Sequence, residues 1–437
     1  MAPQQRSFTC GHWFLLALVT LCIYMLFLAL FSSLLYRNKI TVDSYYHSSL
    51  GETQPRNYTL SFLSSDMLFK PRYKLVKKQC RKYISDDTSP FSPTLVSSLP
   101  PSLLRGDSNI SVIDLSLGLV NVVLVKTIKT GGSTVGGILR QIANYRGMGG
   151  VSTSEWLPET EPFVYANHHT IDYFLEEAPP VSLSNLYISW VRHPVDRCMS
   201  FHYFVRSKGM ALRGELGPAC LRRVGHVPTI PLSQTAYMTA KTAHCHNHMH
   251  SFMSPKVLRD RLDRSHASSA SSSSTSTTVY NASAVLDYYT FVGVQDRFLE
   301  SVLILQKKLS LSLPEILFLS SKKAGESGCL VAHPPFAEER EDIRRYVRSE
   351  EWRRRNSYDY ALYEEAVRRL DLEITNYGAA RFAEELNLFK MLMREVVEKC
   401  GQHAYREGKL DCFWSDHGCG HKCIACQYFS TMGPSNF

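Results

Sequence analysis

The sequence lacks any charged residue over a long N-terminal stretch, from Trp13 to Tyr36. As a helix rising about 1.5 Å per residue, such a run covers the roughly 30 Å hydrocarbon core of a bilayer. It exceeds the apolar region of a cleaved signal peptide, about 7–15 residues, and no small-x-small cleavage site is evident after it. The run therefore predicts an uncleaved transmembrane signal anchor at residues 13–36, preceded by a cytoplasmic tail at residues 1–12.

The sequence also lacks a Walker A motif, GxxxxGK[ST], and an internal repeat. The missing motif argues against an ordinary ATPase or GTPase. An acidic excess is absent too, because 49 Lys and Arg residues against 40 Asp and Glu residues give a net charge of +9. A basic balance favours nucleotides, anionic glycans or acidic membrane surfaces without selecting among them. No nucleic-acid partner is predicted, and homodimerisation is left open.

Glycosylation signals and cysteines follow the predicted anchor. Three sequons begin at Asn57, Asn109 and Asn281. Apart from Cys10 and Cys22, the remaining ten of the twelve cysteines also lie after the anchor. An even set of cysteines in an oxidising compartment predicts disulfide bonds, although the sequence does not give their pairing. These features predict a single-pass type II protein of the Golgi membrane with its catalytic part in the lumen.

Beyond the anchor, composition separates a stem from a folded domain. Residues 37–111 carry scattered Pro, Ser and Thr without sustained periodicity, as a luminal stem does. Across residues 112–390, strand-like and helix-like patterns alternate, which predicts a three-layer, P-loop-like α/β domain with a mainly parallel sheet. The Ser-rich residues 265–278 are predicted to be a disordered insertion, and residues 391–437 form a Cys-rich tail. The predicted strands are residues 121–125, 186–191 and 289–294.

The first predicted strand runs into a turn, Lys126-Thr-Ile-Lys-Thr-Gly-Gly-Ser-Thr134, and then into a predicted helix. Glycines let the backbone approach an anion, while the amides and dipole at the helix start favour negative charge. Lys129 adds a mobile positive charge. The pattern predicts a phosphate-binding loop, with an ordinary strand-to-helix turn as the alternative. The candidate binding residues are Lys126, Thr130, Gly131, Gly132, Ser133 and Thr134.

The second predicted strand ends in Trp190-Val-Arg192-His-Pro194, and the helix after it carries Ser200. An arginine at the carboxyl edge of a parallel sheet lies where such sheets bind ligands, and its guanidinium suits a phosphate. Ser200, two helical turns further on, faces the same region. The alternative is a structural arginine followed by a helix-starting proline.

Together the two segments resemble the donor-binding elements of the Golgi carbohydrate sulfotransferases. The first is similar to that family's 5′-phosphosulfate loop, close to KTHKTGSST, and the second to its R-(D/E)-P turn with a helical serine. Within the superfamily the sequence most resembles the galactose 3-O-sulfotransferases, the galactosylceramide sulfotransferase-like group, through Asn167-His168, Ser200–Phe204 and Asn356–Tyr363. Hexuronic-acid 2-O-sulfotransferases are close rivals, since they share the spacing of His168 and Phe174 and a strand like Phe291–Val294.

The sequence departs from the galactose group at three positions. Ile128 stands where that group usually has histidine, and Gly132 where it often has serine. His193 replaces the acidic residue after the arginine. These departures remove no group that donor binding requires, but they weaken the assignment of the acceptor.

The resemblance implies a sulfotransferase that uses PAPS (3′-phosphoadenylyl sulfate) as co-substrate and needs no metal. It places Lys129 at the bridging oxygen of the donor, Ser133 and Thr134 at the 5′-phosphate, and Arg192 and Ser200 at the 3′-phosphate. His168 is the candidate general base, with His169 as the fallback. The implied acceptor is O3 of galactose on a glycolipid or glycoprotein. The alternatives are 2-O-sulfation of uronic acid and a non-enzymatic luminal glycan-binding protein.

Two clusters of His and Cys also fit metal ligands. One is His244-Cys-His-Asn-His-Met-His250, and the other combines Cys412, Cys419, Cys423 and Cys426 with His417 and His421. In a luminal chain, paired cysteines explain both clusters better than zinc does. The sequence therefore predicts disulfides at Cys245 and in the C-terminal tail, and no metal site.

Overall fold

The computed structural model describes residues 91–92, 95–96, 98–105, 115, 120–146, 148, 151–152, 161–178, 181–212, 245–269, 280–320, 336–401 and 420–432. The chain divides into two units, residues 1–65 and 66–437, and every described residue belongs to the second. Several predictions concern residues outside the described ones. They are the cytoplasmic tail at residues 1–12, the anchor at residues 13–36, most of the stem, and the sequons at Asn57 and Asn109.

The elements that the structure describes are named here in chain order. They are α1 (Pro101–Arg105), β1 (Val120–Val125), α2 (Gly132–Arg146), β2 (Val151–Ser152), β3 (Val164–Asn167), a π-helical turn (Tyr173–Glu177), β4 (Ser184–Val191), α3 (Pro194–Leu212), α4 (His248–Met253), α5 (Lys256–Ser269), α6 (Ala282–Leu286), β5 (Phe291–Val294), a 3-10 turn (Gln295–Arg297), α7 (Phe298–Lys308), α8 (Leu313–Ile316), a second 3-10 turn (Phe336–Glu338), α9 (Glu341–Val347), α10 (Glu350–Arg355), α11 (Ser357–Tyr377), α12 (Ala379–Cys400) and α13 (His421–Met432).

The described strands form one parallel sheet in the order β2-β3-β1-β4-β5. β1 lies at the centre, and Val122 to Val125 are buried on both faces, as expected for a strand covered by helices on either side. Its last residue, Val125, is paired with Asn167 of β3 and with Ser189 of β4. Because all strands run the same way, the segments that follow β1, β3, β4 and β5 leave the same edge of the sheet.

Helical periodicity explains how the helices cover this sheet. α2 buries Val135, Ile138, Leu139 and Ile142, which are spaced three and four residues apart. A second, smaller apolar cluster joins α3 to α9 and α10 around the fully buried Trp352. α3, which follows β4, therefore packs against α9 and α10 and, through Tyr360, against α11.

The predicted fold class needs a correction. It combined a three-layer α/β domain with a preceding transmembrane helix. The part of the chain that the structure describes has a parallel sheet with helices, an α/β arrangement, and none of its helices is long and apolar enough to cross a membrane. The longest helices, α11 and α12, bury one face and carry charged residues on the other, so they are amphipathic helices of the domain.

Two disulfide bonds confirm the prediction of paired cysteines. Cys198 of α3 is bonded to Cys245, and Cys400 of α12 is bonded to Cys423 of α13. Both cysteines of the second bond lie within the predicted tail at residues 391–437, where the bond links α12 to α13. α12 begins at Ala379 and therefore continues through the predicted boundary at residue 391. α5 continues to Ser269 and therefore enters the segment predicted as a disordered insertion, the rest of which lies outside the described residues.

Candidate functional site

Four polar segments meet at the carboxyl edge of the sheet. Lys126 directly follows β1, His168 follows β3, Arg192 follows β4 and Gln295 follows β5. The carboxyl edge of a parallel sheet is where α/β proteins bind ligands, because strand ends and helix starts face it together. The sequence placed the first three segments in one site, and the strand order brings all of them to this edge.

The turn between β1 and α2 is held by its threonines. Thr127 Oγ1 donates to the Trp190 carbonyl of the neighbouring strand at 2.9 Å and lies 2.7 Å from Thr130 Oγ1. Thr130 is 1% exposed and also donates to the Thr127 carbonyl. Thr130, a predicted donor-binding residue, therefore has its hydroxyl engaged within the turn, where it maintains the shape of the loop.

Two residues of this turn have positive φ angles: Lys129 at 68° and Gly131 at 85°. A side chain on Gly131 would place its Cβ 1.8 Å from Gln295 Oε1, and one on Gly132 would come within 2.6 Å of Lys126 Cγ. The positive φ angle favours glycine at position 131, and an added Cβ at position 131 or 132 would force the Gln295 or Lys126 side chain to move.

Helix α2 begins directly at this turn. Its first turn contains no acidic residue, so nothing there opposes the positive end of the helix dipole. Ser133 and Thr134 are half-buried at this end. The amides of Thr134 and Val135 donate to the Gly131 carbonyl at 3.0 and 3.2 Å, so these two amides stabilise the turn.

Lys129 and Arg192 adjoin each other through the loop backbone. Arg192 Nη1 donates to the Lys129 carbonyl at 3.4 Å, and Arg192 Nε has no hydrogen-bond partner among the described residues. Lys129 Nζ lies 4.3 Å from the ring centroid of Phe204 on α3, a cation–π contact. Burial lowers the pKa of Arg192, while Asp196 and Asp296 act in the opposite sense. The Arg192 guanidinium therefore lies against the backbone of the loop that carries Lys129.

His168 is attached to the same loop. Its Nδ1 lies 2.8 Å from the Lys126 carbonyl, which can only accept, so a neutral ring carries its proton on Nδ1. That tautomer places the basic lone pair on Nε2. The side chain is exposed, whereas His169 is half-buried and stacks on Tyr173 with ring centroids 4.1 Å apart. This geometry favours His168 over His169 as a base.

His193, which stands where the resembled family has an acidic residue, lies close to two aspartates. Its backbone amide donates to Asp296 Oδ2 at 3.1 Å, and its Nδ1 lies 3.5 Å from Asp196 Oδ2. Its ring contacts the edges of Tyr360 and Tyr363. Ser200 is half-buried on α3, and the structure shows no hydrogen bond that links it to Arg192 among the described residues.

Sequence reasoning missed Gln295, Asp296 and Phe204. Gln295 and Asp296 directly follow a predicted strand, and that position was the available signal, since it lies at the same sheet edge as Lys126 and Arg192. Phe204 lay within a motif that carried the resemblance, but its contact with Lys129 depends on how α3 packs.

The histidine-rich segment near Cys245 begins a short helix. Asp359 accepts hydrogen bonds from the amides of Met249 and His250 at 3.2 and 2.8 Å, and Asn247 Oδ1 accepts from the Asp359 amide. Burial lowers the pKa of His250 to about 4, with Arg259 adding to the effect. The described residues contain no group of three or more His, Cys, Asp or Glu side chains placed to hold a metal.

Those contacts give the late motif Asn356-x-x-Asp359 a structural role. Both side chains are fully buried, and each binds the backbone of the segment that begins α4. In the C-terminal tail, Cys423 is bonded to Cys400 and Cys426 is also disulfide-bonded, while Cys412, His417 and Cys419 lie outside the described residues.

The sequon at Asn281 lies on the surface at the start of α6. Its Oδ1 accepts a hydrogen bond from the Ala284 amide at 3.0 Å, which is a helix N-cap. A glycan attached at Nδ2 leaves Oδ1 able to accept this bond, so the cap is compatible with modification. Ser283, the third residue of the sequon, binds Arg369 of α11.

Comparison with known proteins adds no assignment. No family model matches the chain, and no curated protein matches it either.

Proposed function

We propose that this protein is a PAPS-dependent sulfotransferase that transfers a sulfuryl group to a glycan hydroxyl. The observation that carries the proposal is the contact of two separate segments with one loop: Arg192 binds the Lys129 carbonyl, and His168 binds the Lys126 carbonyl. A glycine-containing turn at a helix start, a half-buried guanidinium and a histidine are groups that can meet the demands of sulfuryl transfer.

The proposed roles are those that the sequence resemblance implies, and the charge of these side chains suits them. Lys129 leaves the Phe204 ring to offset negative charge that develops on the departing 3′,5′-diphosphate. Ser133, Thr134 and the start of α2 hold the 5′-phosphate, as helix N-termini hold anions. Arg192, with Ser200, holds the 3′-phosphate, the group that distinguishes PAPS from ATP. These side chains supply the positive charge, so the proposed reaction uses no metal.

His168 acts as the general base in this proposal. With Nδ1 donating to the Lys126 carbonyl, Nε2 accepts the proton of the acceptor hydroxyl as its oxygen attacks sulfur. The S–O bond to the acceptor forms while the bond to the 5′-phosphate oxygen breaks, and the leaving group takes the electron pair. The exposed position of His168 suits an acceptor that approaches from solvent.

The proposed acceptor is O3 of galactose on a glycolipid or glycoprotein, on the strength of the sequence resemblance. Uronic-acid 2-O-sulfation remains the second candidate, favoured by the His168 and Phe174 spacing. We also propose an oxidising luminal compartment, the Golgi, which the bonds Cys198–Cys245 and Cys400–Cys423 support.

The test measures transfer of labelled sulfate from PAPS by the purified full chain to galactose-terminated acceptors and to heparan or dermatan chains. We expect transfer to the galactose acceptors, inhibition by 3′,5′-diphosphoadenosine and none by ADP. Lys129→Ala should abolish turnover without unfolding the protein. The control is Lys422→Ala, at an exposed lysine on α13, which should leave turnover unchanged. Transfer to the polymers alone would overturn the galactose assignment. Full turnover by Lys129→Ala would overturn the mechanism.

A further inference from the structure

Gln295 presents a buried polar atom to the loop that carries Lys129. Its Oε1 is inaccessible to solvent and has no hydrogen-bond partner among the described residues. It occupies the space beside the α-carbon of Gly131, where an added methyl group would lie 1.8 Å from Oε1 and 3.3 Å from the Phe298 ring. Gln295 and Phe298 therefore pack directly against the glycine with the positive φ angle.

A buried acceptor without a partner is unfavourable, and proteins keep few of them. An apolar side chain of similar size would fill the same space without that cost. The Cα–H of Gly131 offers only a weak interaction to an oxygen at this position. A carboxamide whose Oε1 is buried without a partner among the described residues, packed against the turn that carries Lys129, thus points to a functional reason for glutamine.

The next residue extends the same arrangement to the second segment. Asp296 accepts a hydrogen bond from the His193 amide, so the end of β5 contacts both the Gly131 turn and the turn that carries Arg192. The segment that follows β5 consequently contacts both the turn that carries Lys129 and the turn that carries Arg192.

We propose that Gln295 is a positioning residue of the donor site. Its carboxamide sets the Lys129–Gly132 turn at the distance and angle at which the turn receives the phosphosulfate end of the donor. This inference rests on the proposed function. It adds a residue that touches the loop rather than the reacting atoms.

The experiment measures the dissociation constant of 3′,5′-diphosphoadenosine and the melting temperature for the full-length wild type and for Gln295→Met, which keeps the length and removes the oxygen. The matched control is Gln306→Met. Gln306 is fully buried, and its Oε1, like that of Gln295, has no partner among the described residues. Its Nε2 donates to the Leu103 carbonyl of α1 at 2.6 Å. Gln295→Glu, whose side chain has a similar shape, is the replacement test variant if Gln295→Met does not fold.

We expect Gln295→Met to weaken 3′,5′-diphosphoadenosine binding by roughly 10- to 100-fold, the size of effect that small misplacements produce. The KM for PAPS should rise with little change in the KM for the acceptor, and Gln306→Met should leave binding unchanged. Gln295→Glu should bind still more weakly, because a carboxylate then lies beside the anion. The inference about Gln295, but not the proposed function, would be overturned by either of two results. One is unchanged binding by Gln295→Met or Gln295→Glu, and the other is an equal loss of binding in Gln295→Met and Gln306→Met. A wild-type protein that does not bind 3′,5′-diphosphoadenosine would overturn the proposed function as well.

Discussion

Two adjacent histidines of the site, His168 and His169, differ in what they contact. The His168 ring binds a loop carbonyl through Nδ1 and is exposed, whereas the His169 ring stacks on Tyr173 and lies within an aromatic group that includes Phe174. Residue type cannot separate them, since both are histidines in the same short segment. Their contacts separate them, because only the first is oriented by the loop that also carries Lys129.

The first prediction compares these two histidines. His168→Gln should lower kcat for sulfate transfer by about 10²- to 10⁴-fold, the usual contribution of a general base, with little change in the KM for PAPS. His169→Gln should lower kcat far less, since its ring packs rather than reacts. Steady-state kinetics on both variants provides the check. Equal losses would mean that the pair acts structurally.

Single elements of the fold are set by a few backbone positions, and the turn between β1 and α2 is the clearest case. It needs positive φ at Lys129 and Gly131, threonine hydroxyls that bind inside the turn, and a neighbour, Gln295, that leaves no room for a side chain. The sequence pattern predicted an anion loop here. The buried Thr130 hydroxyl bonds to Thr127 within the turn, so this side chain helps to maintain the shape of the loop.

The second prediction compares two glycines with positive φ. Gly131→Ala adds a methyl group that collides with Gln295, besides backbone strain of about 1–2 kcal/mol. Gly378, between α11 and α12, has φ 101° but nothing within 4 Å of the added Cβ, so Gly378→Ala incurs only the strain. We expect both variants to be destabilised in urea, and Gly131→Ala alone to lose 3′,5′-diphosphoadenosine binding. Normal binding by Gly131→Ala would show that the loop tolerates another conformation.

At the scale of the whole domain, a buried charge network links distant parts of the chain. Lys307 of α7 and Glu385 of α12 form a salt bridge at 2.8 Å with both side chains almost fully buried. Lys307 also donates to the Ser102 carbonyl, while Ser102 and Tyr377 donate to Glu385. Burial raises the pKa of Glu385, but the hydrogen bonds from Lys307, Ser102 and Tyr377 outweigh it, and the net pKa lies below 4.5.

The third prediction concerns stability and pH. Glu385→Gln leaves the buried Lys307 charge uncompensated and should lower the free energy of unfolding by about 3–5 kcal/mol at pH 7. Because the folded-state pKa is lowered, the contribution of Glu385 is present above pH 4.5 and is lost as the pH falls through the folded pKa. The difference between wild type and Glu385→Gln should therefore shrink below pH 4.5.

The control for this network is an exposed ion pair, Arg353–Glu364, with side chains 64% and 59% exposed. Glu364→Gln should change the free energy of unfolding by no more than about 1 kcal/mol at any pH. Urea unfolding at pH 7 and pH 4 measures both variants. A small, pH-independent effect of Glu385→Gln would contradict the assigned role of the pair.

Local patterns in the sequence were enough to predict the strands β1, β4 and β5, the helices that follow them and the turn at Lys126–Thr134, because β-branched runs, helical spacing and glycines act over a few residues. They did not reveal β2, Val151–Ser152, or β3, Val164–Asn167. Strand order, helix packing and burial come from contacts between residues far apart in the chain. Those contacts alone decided that His168 binds the Lys126 carbonyl, that Arg192 binds the Lys129 carbonyl, that Thr130 is internal and that Gln295 lies against Gly131.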